Sequence, residues 1–156
     1  LYGRNASAGA IVVTTAPPTE DYQGYVTASI GRRMTYNAEA AFGGPLAGED
    51  LLVRVTAYAR GTDGFLRNFL YSQGGREVFG DEQRDAGGRA RLIWRASDSV
   101  TLDFRAGYTE TQGGFNNTIF DPLNRATPDV LDIIRFEPNV IGFNNRRTID
   151  FSAKFD

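Results

Sequence analysis

The chain has 156 residues, of which 41% are hydrophobic and 12% aromatic, a composition that suits a folded domain and excludes a disordered tail. Its formal net charge of −2 predicts no broad basic surface for nucleic acid. The sequence contains neither Cys nor His, so disulfides, thiolate nucleophiles, histidine bases and zinc centres are excluded, and we expect no catalytic, metal or cofactor-binding residues.

The first fifteen residues combine turn-forming and strand-forming segments. Gly3 and Gly9 permit turns and a close approach of the backbone, and Ile11–Val13 is predicted as a short strand buried on both sides. Arg4 can donate several hydrogen bonds to carboxylates or carbonyls. The chain opens on Leu1 without a signal peptide, and no run approaches the ~20 apolar residues of a membrane helix. We therefore interpret the sequence as a fragment of a longer protein.

Alternation of apolar and polar residues with a period of two predicts β-strands along the rest of the chain. No segment of ten or more residues shows the 3.6-residue period of a helix. The expected fold class is all-β, an antiparallel meander of about six strands. The predicted strands cover 22–31, 34–43, 51–60, the region of Leu92–Ala96, 100–110 and 148–155.

The connections between these strands are of two kinds. Ser97–Ser99 and the Gly- and Pro-containing segment 43–50 are short, whereas Gly61–Ala86 and Thr111–Arg146 are long and show no periodic pattern. Irregular connections of this length usually carry function. Apart from the short turn near Gly31–Met34, short and long connections fall at opposite ends of the sheet, which is typical of outer-membrane β-barrels.

The two faces of the predicted strands also favour an outer-membrane β-barrel. One face is smooth and aliphatic, with Trp94, Tyr108 and Phe155 near strand ends, where interfacial aromatic residues occur. Strands of about 9–11 residues match a tilted crossing of a bilayer. The charged residues assigned to the opposite, polar face are Arg54, Arg60, Arg89, Arg91, Arg95, Arg105, Asp103, Asp150 and Lys154. We expect the two aspartates to pair with the arginines around them rather than to act as a catalytic carboxylate pair.

Residues 1–15, with the sequence LYGRNASAGAIVVTT, resemble the end of the plug domain of TonB-dependent outer-membrane receptors. In that family a Leu-Tyr-Gly-Arg turn, small residues and a β-branched strand precede the first barrel strand. Ala41–Leu46 and Leu52–Tyr58 are similar to the second and third barrel strands around a Gly-Pro-Leu turn. The resemblance implies that residues 1–19 are the C-terminal end of the plug and a linker, and that 20–156 are the N-terminal part of the barrel. Its plug motif comprises Leu1, Tyr2, Gly3, Arg4 and Gly9.

The resemblance implies a receptor in the bacterial outer membrane that imports a scarce, bulky nutrient, with siderophore–iron complexes as the commonest class. The implied partners are outer-membrane lipid, a small-molecule or metal-chelate ligand, and an inner-membrane energy-transducing complex that acts through the plug. The family's energy-coupling box and most of its plug are missing from this sequence, and even small outer-membrane barrels have about 8 strands, so the chain alone is not expected to transport anything. Candidate ligand contacts in the first long connection, through charge and stacking, are Arg67, Phe69, Tyr71 and Arg76.

A different class of protein fits the same alternation. A soluble or surface-exposed β-sandwich, used for carbohydrate binding or adhesion, would pack the apolar faces of two sheets against each other. The acidic residues Asp129, Asp132 and Glu137 lack the spacing of a calcium loop, so we expect them to be solvated. Partitioning between membrane and soluble fractions separates the sandwich from the barrel.

Overall fold

The computed structural model describes residues 15–65, 67–73, 76–114 and 142–156. These residues form an all-β structure with a single 3-10 turn at Arg32–Met34, and none of them belongs to a helix long and apolar enough to cross a membrane. The strands are β1 (Gln23–Ile30), β2 (Tyr36–Ala47), β3 (Leu51–Thr62), β4 (Arg67–Gln73), β5 (Arg76–Phe79), β6 (Gln83–Ser97), β7 (Val100–Gly114) and β8 (Phe143–Phe155).

Six of the strands form one sheet in the order β1-β2-β3-β6-β7-β8, and every neighbouring pair is antiparallel. The prediction of a six-strand antiparallel meander is therefore confirmed. The expected plug tail cannot be compared, because residues 1–14 lie outside the described residues.

The first long connection is less irregular than the sequence predicts. Strand β3 continues to Thr62, β6 begins at Gln83, and between them β4 and β5 pair as a separate two-stranded hairpin. The start of β6 escapes the alternation pattern because Gly87 and Gly88 contribute no side chains to it. A side chain at Gly87 would collide with the carbonyl of Tyr108 on β7 and with the ring of Tyr58 on β3. A glycine is therefore required at position 87 for packing. Because it has no side chain, the alternation that would predict the strand from sequence is interrupted there.

The register of the sheet determines which side chains share a face. Residues directly opposite each other in an antiparallel pair point the same way, so the aligned row Arg54, Arg91, Arg105 and Ser152 marks the polar face. All nine charged residues assigned to that face from the sequence lie on it. The alternating apolar residues of 53–59, 102–108 and 149–155 lie together on the other face, as predicted, whereas Leu52 lies on the polar face.

The apolar face is open to its surroundings. Val26 is 81% exposed and Phe151 is 79% exposed, and within the described residues no second sheet covers them. The buried hydrophobic residues of the described chain are Ala41 and Leu52, and both lie on the polar face. The sheet therefore has no apolar core of its own and presents its apolar face outward.

The positions of the aromatic residues along the apolar face agree only partly with the prediction that they lie near strand ends. Trp94 and Phe155 lie at the end of the sheet that carries the short turns. Tyr108 is in the middle of β7 rather than near its end, because β7 continues to Gly114. Beyond Tyr108 on the same face, Glu110 accepts hydrogen bonds from Tyr108 and Arg147, so Tyr108 marks the point where the apolar surface gives way to charge.

Candidate functional site

The polar face of the sheet forms an open groove of about 690 Å³. Strands β3, β6 and β7 supply five arginines to it, since alternation turns every second residue of each strand toward this face. The charged and tyrosine side chains that line the groove are Arg54, Arg60, Arg89, Arg91, Arg105, Glu39, Asp150, Tyr25 and Tyr58.

Three of these arginines stand in one row across the sheet. Arg54, Arg91 and Arg105 are direct cross-strand partners, an arrangement in which like charges repel. Asp103, which is 8% exposed, relieves part of this repulsion. Its carboxylate accepts two bonds from Arg91, at 3.0 Å from Nε and 2.8 Å from Nη2. It accepts two more from Arg105, at 2.6 Å from Nη2 and 3.3 Å from Nε. The expectation that Asp103 pairs with the arginine face is confirmed.

Replacing Asp103 by Ala is expected to lower the free energy of unfolding of the complete protein by about 2–3 kcal/mol, since charge-assisted hydrogen bonds are lost and two facing guanidinium groups are left unpaired. Urea unfolding followed by tryptophan fluorescence measures the loss. Asp98→Ala is the matched control, because Asp98 is exposed in the turn between β6 and β7. Equal stability of the two variants would contradict the role given to Asp103.

A second ion pair lies toward the opposite end of the groove. Arg60 Nε donates to Asp85 Oδ2 at 3.1 Å, and Gln83 Nε2 donates to the same oxygen at 2.8 Å. Asp85 is 5% exposed, so its charge is held by these donors rather than by solvent. Sequence analysis missed Asp85 because it falls in the part of β6 that the alternation does not reveal.

Two arginines of the groove are not neutralised in this way. Within the part of the chain that the structure describes, neither Arg54 nor Arg89 forms an ion pair or a side-chain hydrogen bond. Asp150 was expected to pair like Asp103, but in the same described residues it makes no ion pair within 4.0 Å. Its carboxylate instead occupies the space that a side chain at Gly107 would fill.

The segment before β1 is attached to the groove at the end with the short turns. Arg91 Nη1 donates to the carbonyl of Thr15 at 3.3 Å, so one side chain joins this segment to Asp103. Arg95 Nη2 pairs with Glu20 at 2.9 Å, and Arg95 Nη1 donates to the carbonyl of Glu49 in the turn between β2 and β3 at 3.3 Å. The strand pattern places Arg91 and Arg95 on the polar face, but the partners of both depend on the tertiary fold.

The predicted ligand contacts of the first long connection fall on one hairpin. Arg67, Phe69 and Tyr71 belong to β4 and Arg76 begins β5, with Arg67 paired to Phe79 along the backbone. The guanidinium of Arg33, in the turn between β1 and β2, lies 4.7 Å from the ring centre of Phe79. The role of the four residues in ligand binding stays a prediction. The plug motif Leu1, Tyr2, Gly3, Arg4 and Gly9 lies outside the described residues, as do Asp129, Asp132 and Glu137.

The chemistry available in the groove is that of cationic hydrogen-bond donors. Among the described residues, no group of three or more carboxylates is placed to hold a metal ion. No protein-family model matches the chain, and no solved structure matches it. Any function assigned to the sheet therefore depends on its own geometry, with a cationic groove on one face and an exposed apolar surface on the other.

Proposed function

We propose that the chain is part of a TonB-dependent receptor of the bacterial outer membrane. Residues 20–156 would form the N-terminal strands of its transmembrane β-barrel, and residues 1–19 the end of its plug domain with the linker. The observation that carries the proposal is the opposition of the two faces of one sheet. In an outer-membrane barrel the apolar face contacts lipid and the polar face lines the lumen.

The exposed apolar residues support a lipid contact for that face. Val26, Phe42, Val55, Phe151 and Phe155 are each at least 48% exposed and share one continuous surface. Burying apolar surface is worth about 25 cal/mol per Å², so a surface of this kind is unfavourable in water. Lipid would cover it along the full width of the sheet without a second protein layer.

The unpaired outer edges of the sheet support a barrel with more strands than these six. Within the described residues, no strand pairs with the outer edge of β1 or of β8. In a bilayer every backbone donor and acceptor has to be paired within the protein, so open edges are not tolerated there. We infer that further strands of the same receptor pair with β1 and β8 and close the barrel.

The direction of the strands supports an orientation of the barrel with the short turns in the periplasm and the long connections outside. The segment 15–22 joins β1 at the end with the short turns 48–50 and 98–99, and the connections 63–82 and 115–142 leave from the other end. Outer-membrane barrels have short turns on the periplasmic side and long loops outside. The long connections would then face the exterior and capture the ligand. An inner-membrane energy-transducing complex would act from the periplasm on the plug.

The likeness of residues 1–15 to the plug end supports import as the activity, with siderophore–iron complexes as the proposed cargo class. The receptor would be a transporter without a catalytic centre. Its cargo would bind first at the hairpin of β4 and β5, through Arg67, Phe69, Tyr71 and Arg76. It would then pass along the arginine-lined face.

Cell fractionation tests the proposal directly. The complete protein is expected in the outer membrane, soluble only with detergent, with a gel mobility that changes on heating because a folded barrel resists unfolding by detergent in the cold. Recovery of folded protein from the soluble fraction without detergent would contradict the barrel and favour the β-sandwich. A maltose-binding protein expressed in the same cells and a known porin serve as the soluble and membrane controls.

A further inference from the structure

We propose that the groove on the polar face binds a compact polyanion, a small molecule with two or more carboxylate or phosphate groups, through Arg54 and Arg89. This inference rests on the proposed function, because it takes the polar face as the wall of the transport path and assigns a charge to the cargo. The residues involved are distinct from the contacts predicted in the first long connection.

The charge balance of the groove points to an anion. Asp103 is shared by Arg91 and Arg105, and Asp85 is held by Arg60. Glu39 accepts a hydrogen bond from the hydroxyl of Tyr25. The remaining carboxylate of the lining, Asp150, makes no ion pair within the described residues. Arg54 and Arg89 therefore have no ion-pair partner among the described residues. The carboxylates of Glu39 and Asp150, which are also unpaired there, offset part of this charge. The five arginines still outnumber the four carboxylates Glu39, Asp85, Asp103 and Asp150, so the groove keeps a net positive charge.

The positions of the two free arginines suit a ligand with two anionic groups. Arg54 lies opposite Arg91, and Arg89 is two residues from Arg91 on the same strand and face, so Arg54 and Arg89 are diagonal neighbours. Diagonal neighbours in an antiparallel pair are about 7–8 Å apart at the backbone, a separation that long side chains can bridge or widen. Each guanidinium can grip a carboxylate or phosphate with two parallel hydrogen bonds. Gly43, the partner of Arg54 on β2, places no side chain beside it.

The size of the groove and the composition of the neighbouring segment favour a small molecule. The volume of about 690 Å³ is within the range of 300–1,000 Å³ typical of small-molecule sites. Thr15 and Ala16, which line the groove from the segment before β1, carry no charge. Residues 1–19 contain one charged residue, Arg4, and no acidic residue, so this part of the chain cannot neutralise the arginines.

Calorimetric titration of the complete receptor in detergent at low ionic strength tests the inference, with inorganic triphosphate and citrate as the two probes. We expect at least one probe to bind the native protein, and Arg54→Gln with Arg89→Gln to weaken that binding by about tenfold or more, since the double variant removes the charge-assisted hydrogen bonds of both arginines. Arg84→Gln with Arg147→Gln removes two arginines from the opposite face and is the matched control, for which the affinity is expected to stay within about twofold.

The results that overturn the inference are distinct from those that overturn the proposed function. Absence of binding of both probes at millimolar concentration, or equal binding by the Arg54/Arg89 variant and the native protein, would show that the groove is not an anion site. If either result comes from a receptor that is heat-modifiable and located in the outer membrane, the inference alone is wrong. If the protein is soluble and still binds a probe through these arginines, the receptor proposal is wrong and the anion site stands. Single Arg54→Gln and Arg89→Gln variants, each checked for folding by heat-dependent mobility, keep the test decisive if the double variant does not fold.

Discussion

Replacing Phe151 by Arg is expected to block assembly of the complete receptor in the outer membrane. Phe151 lies in the interior of β8 on the apolar face, 79% exposed and opposite Ala106 of β7. In the proposed barrel this position lies inside the apolar band, between Ile149, the partner of Tyr108, and Phe155 near the short turns. An arginine on the lipid face costs about 2–4 kcal/mol near the middle of the bilayer. The amount of receptor in the outer membrane and its heat-dependent mobility measure the effect.

Two further variants make this result specific to the lipid face. Thr148→Arg introduces the same side chain on the same strand but on the polar face, and normal assembly is expected. Leu102→Arg is expected to impair assembly less than Phe151→Arg, because Leu102 lies near the end with the short turns and the cost of a charge falls toward the interface. Normal membrane levels of Phe151→Arg, or equal defects in Phe151→Arg and Thr148→Arg, would contradict contact of this face with lipid.

Deleting residues 68–80 is expected to abolish most ligand capture while leaving assembly of the barrel intact. The deletion removes the hairpin of β4 and β5, but β3 ends at Thr62 and β6 begins at Gln83, so the six-stranded sheet keeps all its pairs. The two ends that have to be rejoined are already close, since the backbone N–H of Phe65 donates to the carboxylate of Asp81 at 2.8 Å. Loop excisions that spare strand pairing are usually tolerated.

Uptake of ferric siderophores by cells that carry the receptor measures the loss of capture, and heat-dependent mobility of the purified protein measures assembly. A variant of full length in which Arg67, Phe69, Tyr71 and Arg76 are all replaced by Ser is the companion to the deletion. Loss of uptake in both variants would assign the effect to these side chains. Unchanged uptake by the deletion variant would show that the hairpin takes no part in ligand capture.

The β-structure and its two faces could be predicted from sequence because the signal is local. The alternation of Val53, Val55 and Ala57 with Arg54 and Thr56 depends only on the pleat of the strand, in which successive side chains point to opposite faces. The same argument explains the failure at the start of β6. There, Gly87 and Gly88 have no side chains to carry the pattern, and only pairing with β3 and β7 shows that the strand begins at Gln83.

The sequence by itself determined the all-β class, the meander and the assignment of arginines to one face, because each of these follows from neighbours along the chain. The partners of those arginines were decided by the tertiary structure. Which residues meet across two strands depends on the register, and the register here includes shifts at Pro45/Ala47 and Arg95/Ser97 that no local pattern reveals. For this reason Asp103 is shared by Arg91 and Arg105, while Arg54 and Arg89 have no carboxylate partner within the described residues.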